Sequence, residues 1–240
     1  MSIPTGTVEV PGAIRRLLGD GPLHPVWQNL VGGLTFHAPD RGLYAKWAPA
    51  GTEGDLADEA ERLAWVARWT PVPHVVETGA DDEGGWLVTR AIEGRSAVHP
   101  QWVAHPEVAV RAVGAGLRAL HDALPVAGCP WTWSARDRLA RVADRAAAAA
   151  LGAPPPVDRL VVCHGDACVP NTLLSDDGTW LAHVDLGSLG VADRWADLAV
   201  ATWSTVWNYG PGHEEALLDA YGIAPDPVRT AYYRTLWSLG

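Results

Sequence analysis

Lysine is nearly absent from this sequence. Lys46 is the only lysine among 18 basic residues, which leaves 17 arginines, and methionine and phenylalanine occur once each. No apolar run approaches the roughly 18 residues of a membrane-spanning helix, so we expect no membrane segment. The first residues, MSIPTGTVEVPGAIRR, lack the basic-then-apolar order of a signal peptide. We therefore expect a cytoplasmic protein with no membrane partner.

Cysteine is also scarce. The three cysteines, Cys129, Cys163 and Cys168, leave an odd thiol, and none of them forms a CxxC pair. A disulfide framework would need paired cysteines in an oxidising compartment. The pattern therefore favours reduced structural thiols in a cytoplasmic protein.

Positive charge is in deficit, with 18 Lys and Arg against 28 Asp and Glu, which gives a formal net charge of −10. The electrostatic field of such a negative protein disfavours binding to nucleic acid and to anionic membrane surfaces. It would attract cationic small molecules towards acidic clefts, although the same charge could serve solubility alone. We expect a cationic small-molecule partner, no nucleic-acid partner, and a monomer or weak dimer.

Strand signals precede helix signals along the 240 residues. NLVGGLTF, HVVETG and GWLVTRAI predict strands, with a helix over EGDLADEAERLAWVARW. Helices follow over EVAVRAVGAGLRALHDAL, ARDRLARVADRAAAAALG, RWADLAVATWSTVW, EEALLDAYG and DPVRTAYYRTLWSL. This segregation predicts an α+β fold with a small β-rich N-terminal lobe and a larger helical C-terminal lobe. EGRSA suggests the boundary, with lobes at 1–93 and 94–240.

The densest group of polar residues lies around a predicted hairpin. Leu160–Cys163 predicts a strand, and TLL and WLAHV flank SDDG, whose Asp-Gly step is a strong hairpin signal. Asn171 precedes the hairpin, Asp185 follows it, and Asp166 lies five residues upstream of Asn171. Carboxylate and amide oxygens suit Mg²⁺ completed by phosphate oxygens, and a further carboxylate could accept a hydroxyl proton. Phosphoryl transfer from a nucleotide needs this combination of magnesium ligands and a carboxylate that accepts the hydroxyl proton.

Two other interpretations use the same residues. His164 with Asp166 and His183 with Asp185 form an HxD…HxD pattern that could hold two metals for hydrolysis. That hydrolase would leave Lys46 without a role. In the other interpretation, these polar groups only cap turns.

HGDACVPN, HVDLG and ADRWADLA resemble the aminoglycoside phosphotransferase family, whose bilobal fold is like that of the protein kinases. The resemblance covers nearly the whole chain. It implies Asp166 as the catalytic aspartate and Asn171 and Asp185 as magnesium ligands, with ATP or GTP as phosphate donor. It also implies that Lys46 contacts the nucleotide's α- and β-phosphates.

The same resemblance implies nucleotide contacts in the first lobe. Glu59 matches the helix glutamate that pairs with Lys46, with Glu61 as the rival. LVTRAIEG resembles the linker whose backbone holds adenine, and GGLT resembles the loop over the phosphates, where an ordinary hairpin turn is an equal alternative. The residues concerned are Arg90 and Ile92 through their main chain, and Gly32, Gly33 and Thr35. His164 and Asp197 are expected to hold the catalytic loop in shape, and His121 to be a packed helix residue.

The sequence departs from the family at acceptor-binding positions. Members that modify the 3′-hydroxyl commonly carry arginine three residues after the magnesium aspartate, where this chain has Ser188. They also carry acidic residues at the end, where this chain reads TLWSLG. We predict a kinase for a hydroxyl of an aminoglycoside-like antibiotic, and thus a resistance enzyme. The alternatives are a kinase for another natural product or metabolite, such as a peptide antibiotic, or a catalytically silent nucleotide-binding homologue.

Overall fold

The computed structural model describes residue 4, residues 6–52 and residues 56–239. The chain divides into two compact units. The first runs up to Arg68 and resumes over Val72–Ile92, while the second contains Trp69–Pro71 and everything from Glu93 onwards. The lobe boundary predicted between residues 93 and 94 stays a prediction about domain organisation.

The first unit is an antiparallel sheet with two helices in its described residues. The strand order is β1-β2-β3-β5-β4. The strands are β1 (His24–Gln28), β2 (Leu34–Ala38), β3 (Leu43–Pro49), β4 (Val75–Ala80) and β5 (Gly84–Arg90), and the helices are α1 (Gly12–Leu18) and α2 (Leu56–Val66).

The two faces of this sheet carry different residues because side chains alternate along a strand. Phe36 and Ala45 are fully buried against Ile14 of α1 in one hydrophobic cluster. Thr35 pairs with Lys46 across β2 and β3, so both belong to the opposite face. Helix α2 packs on β4 and β5, and the alternation therefore brings Lys46 towards a helix rather than towards the apolar cluster.

The second unit contains most of the helix. Its helices are α3 (Pro100–Val103), α4 (Pro106–Ala123), α5 (Ala135–Arg141), α6 (Arg145–Leu151), α7 (Trp195–Tyr209), α8 (Glu214–Tyr221) and α9 (Pro227–Ser238). Short strands form two small ladders, β10-β7 and β6-β8-β9. They are β6 (Arg95–Ser96), β7 (Leu160–Cys163), β8 (Thr172–Leu174), β9 (Trp180–His183) and β10 (Gly190–Asp193). The predicted α+β class is confirmed.

One predicted helix is wrong. ARDRLARVADRAAAAALG forms two helices, α5 and α6, with extended backbone at Val142 between them. Asp144 begins the second helix, since its side chain accepts hydrogen bonds from the amides of Ala146 at 3.0 Å and Ala147 at 2.9 Å. An aspartate in this role satisfies amides that a helix start leaves without partners, so it favours a new start over continuation. Among the described residues, no helix has the length and apolarity to cross a membrane.

Candidate active site

Lys46 forms an ion pair with Glu59 inside the first unit. The Lys46 Nζ lies 2.7 Å from Oε1 and 2.9 Å from Oε2 of Glu59. Glu59 is only 5% exposed, whereas Glu61 is exposed. A buried carboxylate needs a compensating partner, and a lysine held by both of its oxygens provides one. The structure therefore pairs Lys46 with Glu59 rather than with Glu61.

Helix periodicity explains this choice. Leu63 and Val66 are buried and lie four and seven residues after Glu59, so all three follow one stripe of α2. Glu61 lies two residues from Glu59 and faces away from that stripe. The ion pair thus results from a strand that directs Lys46 to one face of the sheet and a helix that directs Glu59 back to it.

The glycine loop between β1 and β2 has a local structural explanation. Asn29 Oδ1 accepts hydrogen bonds from the Gly33 amide at 2.6 Å and from the Val31 amide at 3.1 Å. A Cβ added at Gly33 would lie 2.5 Å from Asn29 Nδ2, so a side chain there would displace the asparagine. Gly32 has φ +87°, which favours glycine. These glycines therefore form an Asn-anchored hairpin turn, and a phosphate contact stays a prediction.

The predicted adenine linker follows β5. The Arg90 amide donates to the His74 carbonyl at 2.8 Å, and the Ala91 amide donates to the Gly42 carbonyl at 2.9 Å. These bonds fix the backbone leading into Ile92, which is half-buried. The structure thus provides an ordered main chain at this position, while its contact with a nucleotide stays a prediction.

Two strand pairings bring the acidic residues of the second unit together. In β8 and β9, Thr172 pairs with His183, and the Val184 amide extends the ladder to the Asn171 carbonyl at 3.0 Å. The predicted SDDG hairpin is confirmed. In β7 and β10, Cys163 pairs with Gly190, so the segments after β7 and before β10 leave the same end of this ladder. Strand β10 was not predicted, because its GVAD sequence carries little strand signal.

Asp166 and Asn171 are in direct contact. The Asn171 Nδ2 donates to Asp166 Oδ2 at 3.2 Å and to the Asp166 carbonyl at 2.9 Å. Asp166 Oδ1 is buried and has no hydrogen-bond partner. Burial, and secondly the Asp185 carboxylate, raise the pKa of Asp166. Asp185 has φ +63° and is the only non-glycine residue with positive φ in the part of the chain that the structure describes.

A known protein family matches the sequence that forms this site. The chain matches the model of the phosphotransferase enzyme family over residues 35–233. The chain belongs to this family. The predicted enzyme class, a phosphotransferase, is therefore confirmed, as is the predicted resemblance to the aminoglycoside phosphotransferases.

Several relatives are similar over most of their length. An aminoglycoside 3′-phosphotransferase of Streptomyces fradiae is 39% identical over 82% of this chain and 85% of its own. A streptomycin 3″-kinase of Streptomyces griseus is 34% identical over 93% of this chain and 94% of its own. The solved aminoglycoside phosphotransferase APH(3″)-Id from Streptomyces rimosus is 30% identical, covers 94% of this chain and 95% of its own, and has a TM-score of 0.75. That relative has also been solved with ADP and streptomycin. The predicted kinase-like fold is thereby confirmed.

The hydrolase interpretation fails in this phosphotransferase. His164 Nε2 donates to the Val184 carbonyl at 2.9 Å, and its Nδ1 accepts from the Asp166 amide at 3.4 Å. Both ring nitrogens are therefore used by the backbone, and neither can bind a metal without breaking the loop. The HxD…HxD spacing therefore does not indicate a two-metal site, because the ring nitrogens of His164 already have backbone partners.

A second histidine cluster also lacks the chemistry of a metal site. The ligand atoms of His121, Cys163 and Asp197 lie within 4.8 Å of one another and are all buried. The Cys163 thiol donates to the Asp193 carbonyl at 3.4 Å, and burial raises its pKa well above the ordinary value. A metal would need the thiolate, which this environment disfavours.

One acidic residue that could have served the acceptor has a structural role instead. Asp193 accepts from the Trp195 amide at 3.0 Å and from the Asp158 amide at 2.7 Å, and its side chain is 1% exposed. Ser188, at the position where 3′-modifying members commonly carry arginine, is exposed. Its carbonyl lies 2.1 Å from where a Cβ on Gly165 would be, so it limits the loop to glycine there.

Proposed function

We propose that this phosphotransferase transfers the γ-phosphoryl group of ATP or GTP to a hydroxyl of an aminoglycoside antibiotic. Relatives named as aminoglycoside 3′-phosphotransferases and a streptomycin 3″-kinase support this acceptor class. Phosphorylation in the cytoplasm would inactivate the antibiotic and give resistance. The expected monomer or weak dimer stays a prediction.

The observation that carries the proposal is the Asp166 carboxylate. One of its oxygens is held by Asn171, while the other is buried without a hydrogen-bond partner. A buried acceptor without a donor is costly, and a substrate hydroxyl would supply that donor. Asp166 would then orient the hydroxyl towards the phosphorus and accept its proton late in the transfer.

Asn171 and Asp185 fit a magnesium ion by their chemistry. The amide nitrogen of Asn171 faces Asp166, which leaves its amide oxygen as the atom that would bind the ion. Asp185 would add a carboxylate oxygen, and hard oxygen ligands are those that Mg²⁺ selects. When bound, Mg²⁺ neutralises charge on the phosphates. The residues of this chain would fix its position and orient the acceptor.

The first unit would hold the nucleotide. Lys46 would anchor the phosphates, and Glu59 would keep its ammonium in place through the two short contacts. Thr35 lies beside Lys46 on the same face of the sheet, on the strand that follows the glycine loop. The main chain of Arg90 and Ile92 would hold the base, and Gly32 and Gly33 would allow close approach of the phosphates.

An acceptor surface near the last helix would be aromatic rather than acidic. Trp237, near the end where the family commonly has acidic residues, lies with its ring centroid 5.8 Å from Trp207 and 6.3 Å from Trp203. Trp207 is 49% exposed. Aromatic faces attract cations, so this surface is compatible with a cationic acceptor even without carboxylates. The alternative acceptor is another natural product or metabolite, such as a peptide antibiotic.

The experiment is a screen of phosphate transfer. Purified protein with Mg²⁺ would be given ATP or GTP and, separately, streptomycin, hygromycin B, other aminoglycosides, a macrolide and a peptide antibiotic. We expect one aminoglycoside to gain a phosphate by mass spectrometry, with turnover abolished by chelating Mg²⁺. Transfer only to a compound that is not an aminoglycoside would show that the acceptor belongs to another chemical class. Nucleotide binding without transfer to any compound would favour the catalytically silent homologue.

A further inference from the structure

A buried hydrogen-bond chain links three helices to the loop that carries Asp166. His121 of α4 contacts Tyr221 of α8 through Nδ1 at 2.9 Å and Asp197 of α7 through Nε2 at 2.9 Å. The side chains of His121 and Asp197 are 0% exposed, and Tyr221 is 1% exposed. The loop therefore depends on partners that are distant in sequence and closed to solvent.

Asp197 is the member that touches the loop. Its Oδ2 accepts from the His164 amide at 2.6 Å, and its Oδ1 accepts from the Gly165 amide at 2.9 Å. Gly165 has φ +84°, a conformation that L side chains rarely adopt. The carboxylate thus holds two successive amides immediately before Asp166, where the backbone turns sharply.

Asp197 is fully buried, yet its partners hold the pKa of its carboxyl below the ordinary value. Burial alone would raise its pKa, but the His121 ring, His164 and the Gly165 amide together lower it. A fully buried carboxylate is sensitive to the loss of any donor because no water replaces it. His121 supplies the one side-chain donor among the contacts described above.

The proton positions follow from the partners. His121 Nε2 faces a carboxylate, which only accepts hydrogen bonds, so Nε2 carries the proton. In the tautomer with its only ring proton on Nε2, Nδ1 accepts from the Tyr221 hydroxyl at 2.9 Å. Tyr221 therefore favours the tautomer that presents the Nε2 proton to Asp197, and it orients the ring through a second contact.

We propose that His121 and Tyr221 are positioning residues for phosphoryl transfer, acting on Asp166 through Asp197 and the amides of His164 and Gly165. This inference rests on the proposed function. Neither residue touches the reacting atoms, so their loss would misplace Asp166 without removing it. The effect would fall on turnover rather than on nucleotide binding, because Lys46 and Glu59 belong to the other unit.

The test compares two replacements of the same ring. His121→Phe keeps an aromatic side chain but removes both hydrogen bonds, whereas His121→Gln can place a donor near the former Nε2. We expect kcat to fall about tenfold in His121→Phe, the scale of the lost hydrogen bond to Asp197, with nucleotide KM nearly unchanged. We expect His121→Gln to recover most of the turnover. Amide hydrogen exchange at residues 164–166 should rise in His121→Phe and return in His121→Gln.

A double-mutant cycle tests the coupling. Tyr221→Phe should lower kcat in the wild-type background and have no further effect in His121→Phe, because the chain is already broken there. Tyr232→Phe is the matched control, since the buried Tyr232 hydroxyl has no hydrogen-bond partner and its loss should leave kcat unchanged. The inference would be overturned if the His121→Phe variant folds and keeps the wild-type kcat. It would also be overturned if the effects of His121→Phe and Tyr221→Phe on kcat are additive. Absence of transfer by the wild-type protein would instead refute the proposed function, and hydrogen exchange would still report on the loop.

Discussion

The two units position charged groups in different ways. In the first, Lys46 projects from a regular strand and Glu59 from a regular helix, and their opposite charges lie 2.7 Å apart. In the second, Asp166 and Asp185 lie on irregular backbone, and their like charges contribute to a raised pKa at Asp166. In the first unit, the charge of Lys46 is therefore balanced by the adjacent Glu59 carboxylate. The second unit gathers negative charge at Asp166 and Asp185, which would favour a bound cation there.

This difference also determines what holds each group in place. The Lys46–Glu59 pair needs only the sheet register and one face of α2. The Asp166 loop needs Asp197 behind it and the β7–β10 pairing beside it. Regular elements place side chains through their own periodicity, whereas a loop needs hydrogen bonds from elsewhere in the fold. Mutations in the two regions should consequently affect different kinetic constants.

The largest expected effect is at Asp166. Asp166→Asn should lower kcat about a hundredfold or more, because the amide cannot accept the hydroxyl proton. Nucleotide affinity should change little, which steady-state kinetics and calorimetry would show together. Asp176→Asn is the control, since Asp176 is an exposed residue of the SDDG turn. Near-normal turnover in Asp166→Asn would contradict its role and remove the contrast between the two units.

A smaller effect is expected at Lys46. Lys46→Arg keeps the charge but replaces a compact ammonium with a wider planar group that does not fit between Glu59 and phosphates. We expect kcat/KM for the nucleotide to fall about tenfold or more, the scale of a charge-assisted hydrogen bond. The measurement is the nucleotide concentration dependence of transfer. Unchanged kinetics would leave the single lysine as a feature of composition.

The smallest effect is expected on α2, where the chain offers a matched pair. Glu59→Gln keeps the shape but loses the charge that holds Lys46, so nucleotide KM should rise about threefold to tenfold. Glu61→Gln, two residues along the same helix and exposed, should leave KM unchanged. Equal effects in the two variants would show that the pairing with Lys46 has no part in nucleotide binding. A loss of kcat alone in Glu59→Gln would instead connect this residue to turnover.

Much of the site was accessible from sequence because its signals are local. The Asp-Gly step predicts the hairpin, and the hairpin places Asn171 and Asp185 on either side of one open end. Helical spacing favours Glu59 over Glu61, since Leu63 and Val66 share its stripe. The split between α5 and α6 was missed because the alanine-rich run outweighed one aspartate that caps a new helix.

The sequence by itself determined the α+β class and the phosphotransferase family, and it predicted the residues that would bind Mg²⁺ and nucleotide. Each of these depends on a local pattern or on a recognisable motif. Only the tertiary structure decided that His121 meets Tyr221 and Asp197, because these partners lie 100 and 76 positions from it. It also decided that β10 pairs with β7. Such long-range contacts result from how helices and strands pack, and no periodicity or spacing along the chain encodes them.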